Sequence, residues 1–222
     1  MKGIGVIFLL VFISCKNVSG DLEIAGNTFY FEEPQPINDF ELKTFPNKFL
    51  GSYMNEDSIS LNFQKDVICR EYIWKNKIPN TDLDSLKVGF DFTDDKIVSK
   101  DGSFKFLYRQ LKDSIEIFNK RIDTIFRFSN TQKAKRINGN LVISKKDSIF
   151  WNIKLYTFDK EKLTVKQLYS DTDLKKMDSI TKVKAKMLDS STYIIAPSRA
   201  EFKQFYKLKD FGNDTNYKKV KE

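Results

Sequence analysis

The chain has 222 residues, with 38 Lys and Arg against 30 Asp and Glu, no histidine and two cysteines. Without histidine, catalytic triads, imidazole acid–base chemistry and histidine-ligated zinc are all excluded. Apolar residues make up 41% of the chain, and 9 Gly and 5 Pro are too few for low-complexity disorder. This composition is typical of a globular protein with one large domain or two small ones.

The N-terminus predicts export. Lys2 gives a short positive start, and an apolar run follows over residues 4–14. As a helix this run is about 16 Å long, far short of the roughly 30 Å core of a bilayer. We therefore expect a signal peptide over residues 1–14 rather than a membrane span.

The end of this run resembles the lipobox of bacterial lipoproteins, in which a small residue precedes a cysteine at the change from apolar to polar sequence. The matching residues are Phe12-Ile13-Ser14-Cys15. The resemblance implies that Cys15 carries the lipid and begins the mature chain, held firmly by two or three acyl chains. Because Lys16 and not Asp follows the cysteine, it also implies sorting to the outer membrane. A signal peptide cleaved by the ordinary peptidase is the alternative.

Residues 15–28 contain glycine and serine without periodicity and predict a lipidated tether. Cys69 is then the only other thiol, so we expect no internal disulfide and interpret Cys69 as a buried core residue. Residues 29–31 are aromatic and are expected to pack on the domain. Asn38 and Asp39 predict the cap of a short helix that ends before Pro46.

The pattern changes to that of β-strands from residue 49 onward. Apolar and polar residues alternate in about nine segments between residues 58 and 195, the period of half-buried strands. Short connections favour antiparallel order. The sequence therefore predicts a mainly β fold, an antiparallel meander that forms a barrel or a two-sheet sandwich in one domain over residues 29–208.

The first strand of this region, Phe49-Leu50-Gly51-Ser52-Tyr53, faintly resembles the Gly-x-Trp opening of lipocalin-like barrels, with Tyr53 in the place of Trp. This resemblance favours the barrel. As a whole the chain resembles small predicted lipoproteins of Bacteroidetes, and that resemblance implies no particular activity.

Short helices are predicted at residues 81–84, after Pro79, and at residues 172–177. The strongest helix signal lies after Pro197, where Ser198 and Glu201 have the spacing of a capping box. We expect a C-terminal helix there whose aromatic residues pack against the sheet or close one end of a barrel. Residues 209–222 are polar and predict a tail.

An Asp-Ser pair followed by an aliphatic residue recurs along the chain, and both side chains favour turns. We interpret three copies as turns that lead into strands and two copies as parts of helical turns. The former begin at Asp57, Asp113 and Asp147, and the latter at Asp84 and Asp178.

No catalytic set is visible in the sequence. Glu32-Glu33 and Asp94-Asp95 are adjacent pairs, and neighbours on a strand point to opposite faces. The acidic stretch at residues 91–95 lacks the glycine and the distant glutamate of a calcium loop, so we interpret it as a solvated turn. We expect no enzyme, no cofactor and no metal site.

Three aromatic residues, Tyr72, Trp74 and Trp151, are the candidates for a ligand site, because large aromatics with a polar handle line apolar pockets. Their alternative role is plain core.

The formal charge of +8 comes from lysines spread along the chain, which suit solvated strand edges or contact with an anionic glycolipid or acidic polysaccharide. An exported protein meets no genome, so no nucleic-acid partner is expected.

Together these features predict an outer-membrane-anchored lipoprotein of the cell envelope. Its β-rich, non-catalytic domain is expected to bind an apolar ligand or an envelope partner, with the membrane itself contacted through the N-terminal lipid. The alternative is a structural accessory subunit of a cell-envelope or surface-glycan assembly.

Overall fold

The computed structural model describes residues 26–182, 184–205, 207–208 and 210–220. The predictions for residues 1–25, including the signal peptide, the lipidation of Cys15 and most of the tether, lie outside the described residues. Of the predicted tether, residues 26–28 are described. The Asn27 amide donates to the carbonyl of Tyr169 at 2.7 Å, and Thr28 begins the first strand.

The described chain is mainly β, with three helices and two 3-10 turns. The strands are β1 (Thr28–Phe31), β2 (Gly51–Met54), β3 (Ser60–Phe63), β4 (Val67–Pro79), β5 (Phe90–Phe92), β6 (Lys96–Ser99), β7 (Lys105–Gln110), β8 (Ser114–Arg127), β9 (Gln132–Ile137), β10 (Asn140–Asp147), β11 (Phe150–Asp159), β12 (Lys162–Gln167), β13 (Lys186–Asp189), β14 (Thr192–Ile195) and β15 (Asn213–Lys219). The helices are α1 (Leu83–Gly89), α2 (Asp171–Ile180) and α3 (Arg199–Phe205), and the 3-10 turns are Asn47–Phe49 and Asn80–Asp82.

All described strands belong to one hydrogen-bonded sheet in the order β13-β14-β1-β11-β12-β15-β2-β3-β4-β8-β7-β6-β5, with β10 on β11 and β9 on β10. Neighbours are antiparallel except β1 and β14, which run parallel. The predicted mainly β fold with short helices is confirmed. The pairing of the described strands does not close the sheet into a barrel, and a two-sheet sandwich is not confirmed either.

The C-terminal segment departs most from prediction. Residues 213–219, expected to lie in a polar tail, form β15 in the middle of the sheet, paired with β12 on one side and β2 on the other. A single buried residue, Tyr217, fixes the strand opposite Leu163. The surrounding polar side chains gave no alternating pattern, because main-chain hydrogen bonds and not apolar burial hold most of this strand.

The helix expected after Asn38 is also wrong. Asn38 has a left-handed φ of 61°, whereas a helix-capping residue is extended. Asp39 binds Arg199 instead of capping, with its Oδ2 accepting from the Arg199 Nη2 at 2.9 Å. Phe40 is 98% exposed, and residues 40–46 form neither helix nor strand.

The other predicted helices and the turns at the Asp-Ser pairs are confirmed, whereas Asp91 and Phe92 of the predicted solvated turn at residues 91–95 belong to β5. In α3 the Ser198 Oγ accepts from the Glu201 amide at 3.3 Å, and the Glu201 Oε2 accepts from the Ser198 amide at 2.8 Å. Of the Asp-Ser copies, Ser58 and Ser148 adopt left-handed turns, with φ of 60° and 56°, before β3 and β11. The copies at residues 84 and 178 lie within α1 and α2.

Three apolar clusters support this sheet. The first core lies on one face of β10 and β11 around Phe49, Tyr53 and Phe126, and the second lies on the other face and packs under α2 and α3. A third, smaller cluster around Ile97, Ile115 and Ile117 lies where the long β4 and β8 carry β5, β6 and β7 away from the first core.

Candidate functional site

Four aromatic side chains share one face of β4, β8 and β7, and we call them the aromatic row: Tyr72, Trp74, Phe104 and Phe106. The face is set by alternation along β4 and by register, since Trp74 pairs with Asn119 and Leu107 with Phe118. Phe106 therefore lies beside Asn119 on the same face as Trp74. The indole and the Phe106 ring are 5.8 Å apart between centroids.

The outer end of the aromatic row is open to solvent. Phe104 is 57% exposed, and its ring lies parallel to that of Phe106, with centroids 6.4 Å apart. The turn before β7 holds Phe104 in place, because its amide donates to the Ser99 Oγ at 2.9 Å and the Ser99 hydroxyl donates to Asp101 at 2.6 Å. Hydrogen bonds from Ser99 and Ser103 lower the pKa of Asp101 to about 2. The Asp101 carboxylate therefore stays ionised at neutral pH and continues to accept the hydrogen bonds that hold this turn.

The inner end of the row is an arginine. Arg70 is only 8% exposed, its Nη2 donates to the Asp123 Oδ2 at 2.8 Å, and its guanidinium carbon lies 4.8 Å from the centroid of the Tyr72 ring. The Arg70 Nε has no hydrogen-bond partner among the described residues. Buried donors are normally satisfied, so this N–H is an exception, and because it is buried it is not presented to the solvent.

The row lies beside the third cluster on the same face of the sheet. Trp74 and Phe106 pack against the third cluster, together with Leu83 and Leu86 of α1. The Asn119 side-chain amide donates to the Lys105 carbonyl at 3.2 Å and so is held between them. The result is an anchored strip of aromatic surface with amide and guanidinium groups along it, a composition typical of binding hot spots.

Trp151 does not belong to this strip. It lies on β11 in the second core, 7% exposed and paired with Phe31. The ammonium groups of Lys133 and Lys146 lie 5.7 Å and 5.8 Å from its ring, within the range of cation–π attraction. Of the three predicted aromatic candidates, the structure therefore brings Tyr72 and Trp74 together and places Trp151 in another core.

The sequence reasoning missed Arg70, Phe104 and Phe106 as members of the site. The alternation of β4 already put Arg70, Tyr72 and Trp74 on one face, so the sequence did indicate that Arg70 lies beside the two aromatic candidates. Phe104 and Phe106 had only the alternation of β7, because their approach to Trp74 depends on the pairing of β7 with β8.

A small apolar cavity lies beneath α3, with a volume of about 40 Å³. Roughly 10–15 Å³ on this scale holds one water, and an engineered cavity of about 150 Å³ accommodates benzene. This cavity is therefore too small for an acyl chain. Its walls are Phe31, Ile153, Leu155, Lys166, Leu168, Phe202, Phe205 and Phe211.

A buried lysine lies under the irregular segment that follows β1. The Lys135 Nζ donates to the carbonyls of Pro34 at 3.0 Å and Pro36 at 2.9 Å, and burial lowers the pKa of this lysine. Ser144 on the neighbouring strand is also buried, and its Oγ has no hydrogen-bond partner among the described residues. Because the two groups are not hydrogen-bonded, they do not form the activated Ser–Lys pair that a hydrolase requires.

Lys135→Met is expected to lower the free energy of unfolding by about 1–2 kcal/mol, because two buried carbonyls lose their donor. The folded lysine has a pKa below its ordinary 10.5, so it binds fewer protons than in the unfolded chain. The stability of the wild type relative to the variant should therefore grow as pH rises towards 10.5.

Urea unfolding at several pH values measures this difference. The carboxylates of Glu33, Asp39 and Glu41 raise the pKa of Lys135, and the charge of Lys133 lowers it. Each of these effects is smaller than the effect of burial. Arg136→Met, an exposed change on the same strand, is the control and should shift stability by no more than about 0.5 kcal/mol. A wild-type advantage that shrinks with rising pH would contradict this account.

Among the described residues, no helix is long and apolar enough to cross a membrane, and no group of three metal-ligating side chains comes together. In comparisons with known proteins, no family model matches the chain, and neither a curated protein nor a solved structure matches it.

Proposed function

We propose that this chain is a non-catalytic binding protein of the bacterial cell envelope, anchored at the outer membrane by lipid on Cys15. Its β-rich domain binds an envelope partner through the aromatic row. The observation that carries the proposal is the row itself: an exposed Phe104, with the rings of Phe106 and Trp74 following it.

The chemistry of the row supports a partner on the surface rather than a ligand inside. Aromatic residues and arginine are enriched in the centres of protein interfaces, where a few of them supply most of the binding energy. An apolar ligand of acyl-chain size has no room in the cavity beneath α3. The absence of histidine from the sequence and the separated Ser144 and Lys135 agree with a role without catalysis.

The second candidate function is a structural accessory subunit of an envelope or surface-glycan assembly. The exposure of Phe104 supports it, because a permanent partner would cover this ring. The two functions differ in permanence: an accessory subunit remains with its assembly in fixed stoichiometry, whereas a binding protein exchanges its partner.

A photo-crosslinking amino acid at position 104 of the full chain, expressed in its own cells, tests the site. We expect one defined cross-linked partner. The matched control is the same amino acid at position 149, because Ile149 is exposed to a similar degree in the turn before β11. Equal cross-linking at both positions, or none at position 104, would overturn the proposal.

Two substitutions measure how much the aromatic row contributes to partner binding. Phe104→Ala and Trp74→Ala should each weaken recovery of that partner by at least about tenfold, the size of a typical hot-spot residue, while Ile149→Ala should leave it unchanged. Phe104 is exposed, so its loss tests binding with little effect on folding. The anchor is tested separately: Cys15→Ala should remove the chain from the outer membrane and stop its labelling by fatty acid.

A further inference from the structure

The opposite face of β4, β8 and β7 carries a different set of side chains. Register places Lys75 and Leu107 on either side of Phe118, and Ile73 opposite Lys120. Because successive residues point to opposite faces, these side chains turn away from the aromatic row. We call this surface the basic face, and its residues are Glu71, Ile73, Lys75, Lys77, Lys105, Leu107, Arg109, Glu116, Phe118, Lys120 and Ile122.

Positive charge on the basic face exceeds negative charge. Its two carboxylates are neutralised locally: Glu71 binds Lys120 at 2.8 Å, and the buried Glu116 binds Arg109 at 2.7 Å. Lys75, Lys77 and Lys105 are exposed, and none of them forms an ion pair with another described residue. Asp91 on the edge strand β5 adds one exposed carboxylate, which leaves the face clearly positive.

Exposed aliphatic side chains stand between these cations. Ile122 is 61% exposed, Ile73 49% and Leu107 38%. Isolated exposed aliphatics are ordinary, but several on one flat sheet face, surrounded by lysines, form an amphipathic surface. Long lysine side chains reach outward past such a surface while the aliphatic tips remain available for apolar contact.

We propose that the basic face docks on the anionic lipid surface of a membrane. The lysines meet lipid phosphates, and the three aliphatic tips enter the interface between headgroups and acyl chains. Each lysine near such a surface contributes about fivefold in affinity, in addition to the attachment that two or three acyl chains on Cys15 supply. In this second respect the inference rests on the proposed anchor at Cys15.

The length of the chain permits both contacts at once. Twelve residues lie between Cys15 and Thr28, and the thirteen Cα-to-Cα steps of an extended chain span at most about 45 Å. β1 and β8 are seven strand-to-strand steps apart in the sheet, about 34 Å laterally at the usual strand spacing. A lipid on Cys15 and the basic face can therefore reach the same bilayer, with the aromatic row on the side turned away from it.

The experiment uses the full chain, purified in detergent and reconstituted into phosphatidylcholine vesicles with or without phosphatidylglycerol. An environment-sensitive fluorophore is attached at Ile122→Cys in a Cys69→Ser background. We expect its emission to shift to the blue only where phosphatidylglycerol is present. The same label at Ile149→Cys is the control and should not respond.

Charge is tested by Lys75→Gln combined with Lys77→Gln. The ratio of docked to undocked protein should fall about 25-fold, the product of about fivefold for each lysine. The matched control is Lys160→Gln combined with Lys162→Gln, two exposed lysines at the turn between β11 and β12, which should leave that ratio unchanged.

Three results would overturn the inference: no blue shift of the emission at position 122, an equal blue shift with neutral vesicles, or a blue shift that appears when the protein is concentrated without vesicles. The last result would assign the face to contact with a second copy of this chain. Failure of the anchor looks different. An unanchored chain would float with anionic vesicles alone, whereas an anchored chain that does not dock would float with both vesicle types and show no shift.

Discussion

Tyr217→Ala is expected to lower the free energy of unfolding by about 3–5 kcal/mol, the usual cost of truncating a large aromatic core residue. Tyr217 is buried in the first core and lies opposite Leu163 of β12. Its strand, β15, also joins two parts of the sheet, because β12 lies on one side of it and β2 on the other. Loss of the ring therefore loosens the strand that links them.

Urea unfolding at neutral pH measures this loss. Lys218→Ala is the matched control, since Lys218 is the next residue on the same strand and is exposed; it should change stability by no more than about 0.5 kcal/mol. Equal effects of the two substitutions would mean that β15 contributes through its main chain alone and that Tyr217 is not a core residue.

The second large effect is a loss of stability in alkaline solution. Tyr53 is fully buried, its hydroxyl donates to the Phe49 carbonyl at 3.0 Å, and burial raises its pKa to about 12 from an ordinary 10.0. Between pH 10 and 12 the unfolded chain gives up a proton that the folded protein keeps. Stability is therefore fully present below pH 10 and falls as pH rises, by about 2–3 kcal/mol for this group.

Tyr53→Phe separates this effect from others. The variant should be about 1 kcal/mol less stable at neutral pH, because it lacks the hydrogen bond to Phe49, yet it should lose less stability than the wild type between pH 10 and 12. Tyr30 contributes to the remaining loss, since burial and Asp147 raise its pKa to about 12. Parallel stability curves for the two proteins would contradict this assignment.

Much of the strand content was predictable because it depends on local alternation. The segment around Trp151 and the segment around Trp74 both show period two, and both are strands. The Ser198 capping box was predictable for the same reason, since its partner lies three residues away. β15 was not, because its place depends on pairing with β12 and β2, which lie distant in the sequence.

The candidate site shows the same limit. Alternation along β4 placed Tyr72 and Trp74 on one face, but it could not show that β7 brings Phe106 beside Trp74. The burial of Arg70 depends on Asp123, 53 residues later in the chain. Trp151 had the same residue type and a similar pattern as Trp74, and only the topology shows that the two belong to different cores.

The central position of the last strand has a consequence for synthesis. A chain emerges from the ribosome N-terminus first, so β15 is the last strand to become available, and until then β12 and β2 each have a strand edge without its final partner. A sheet with unpaired strand edges folds cooperatively only after the strands that pair with those edges have been made. The nascent protein therefore cannot complete this sheet before β15 has been made.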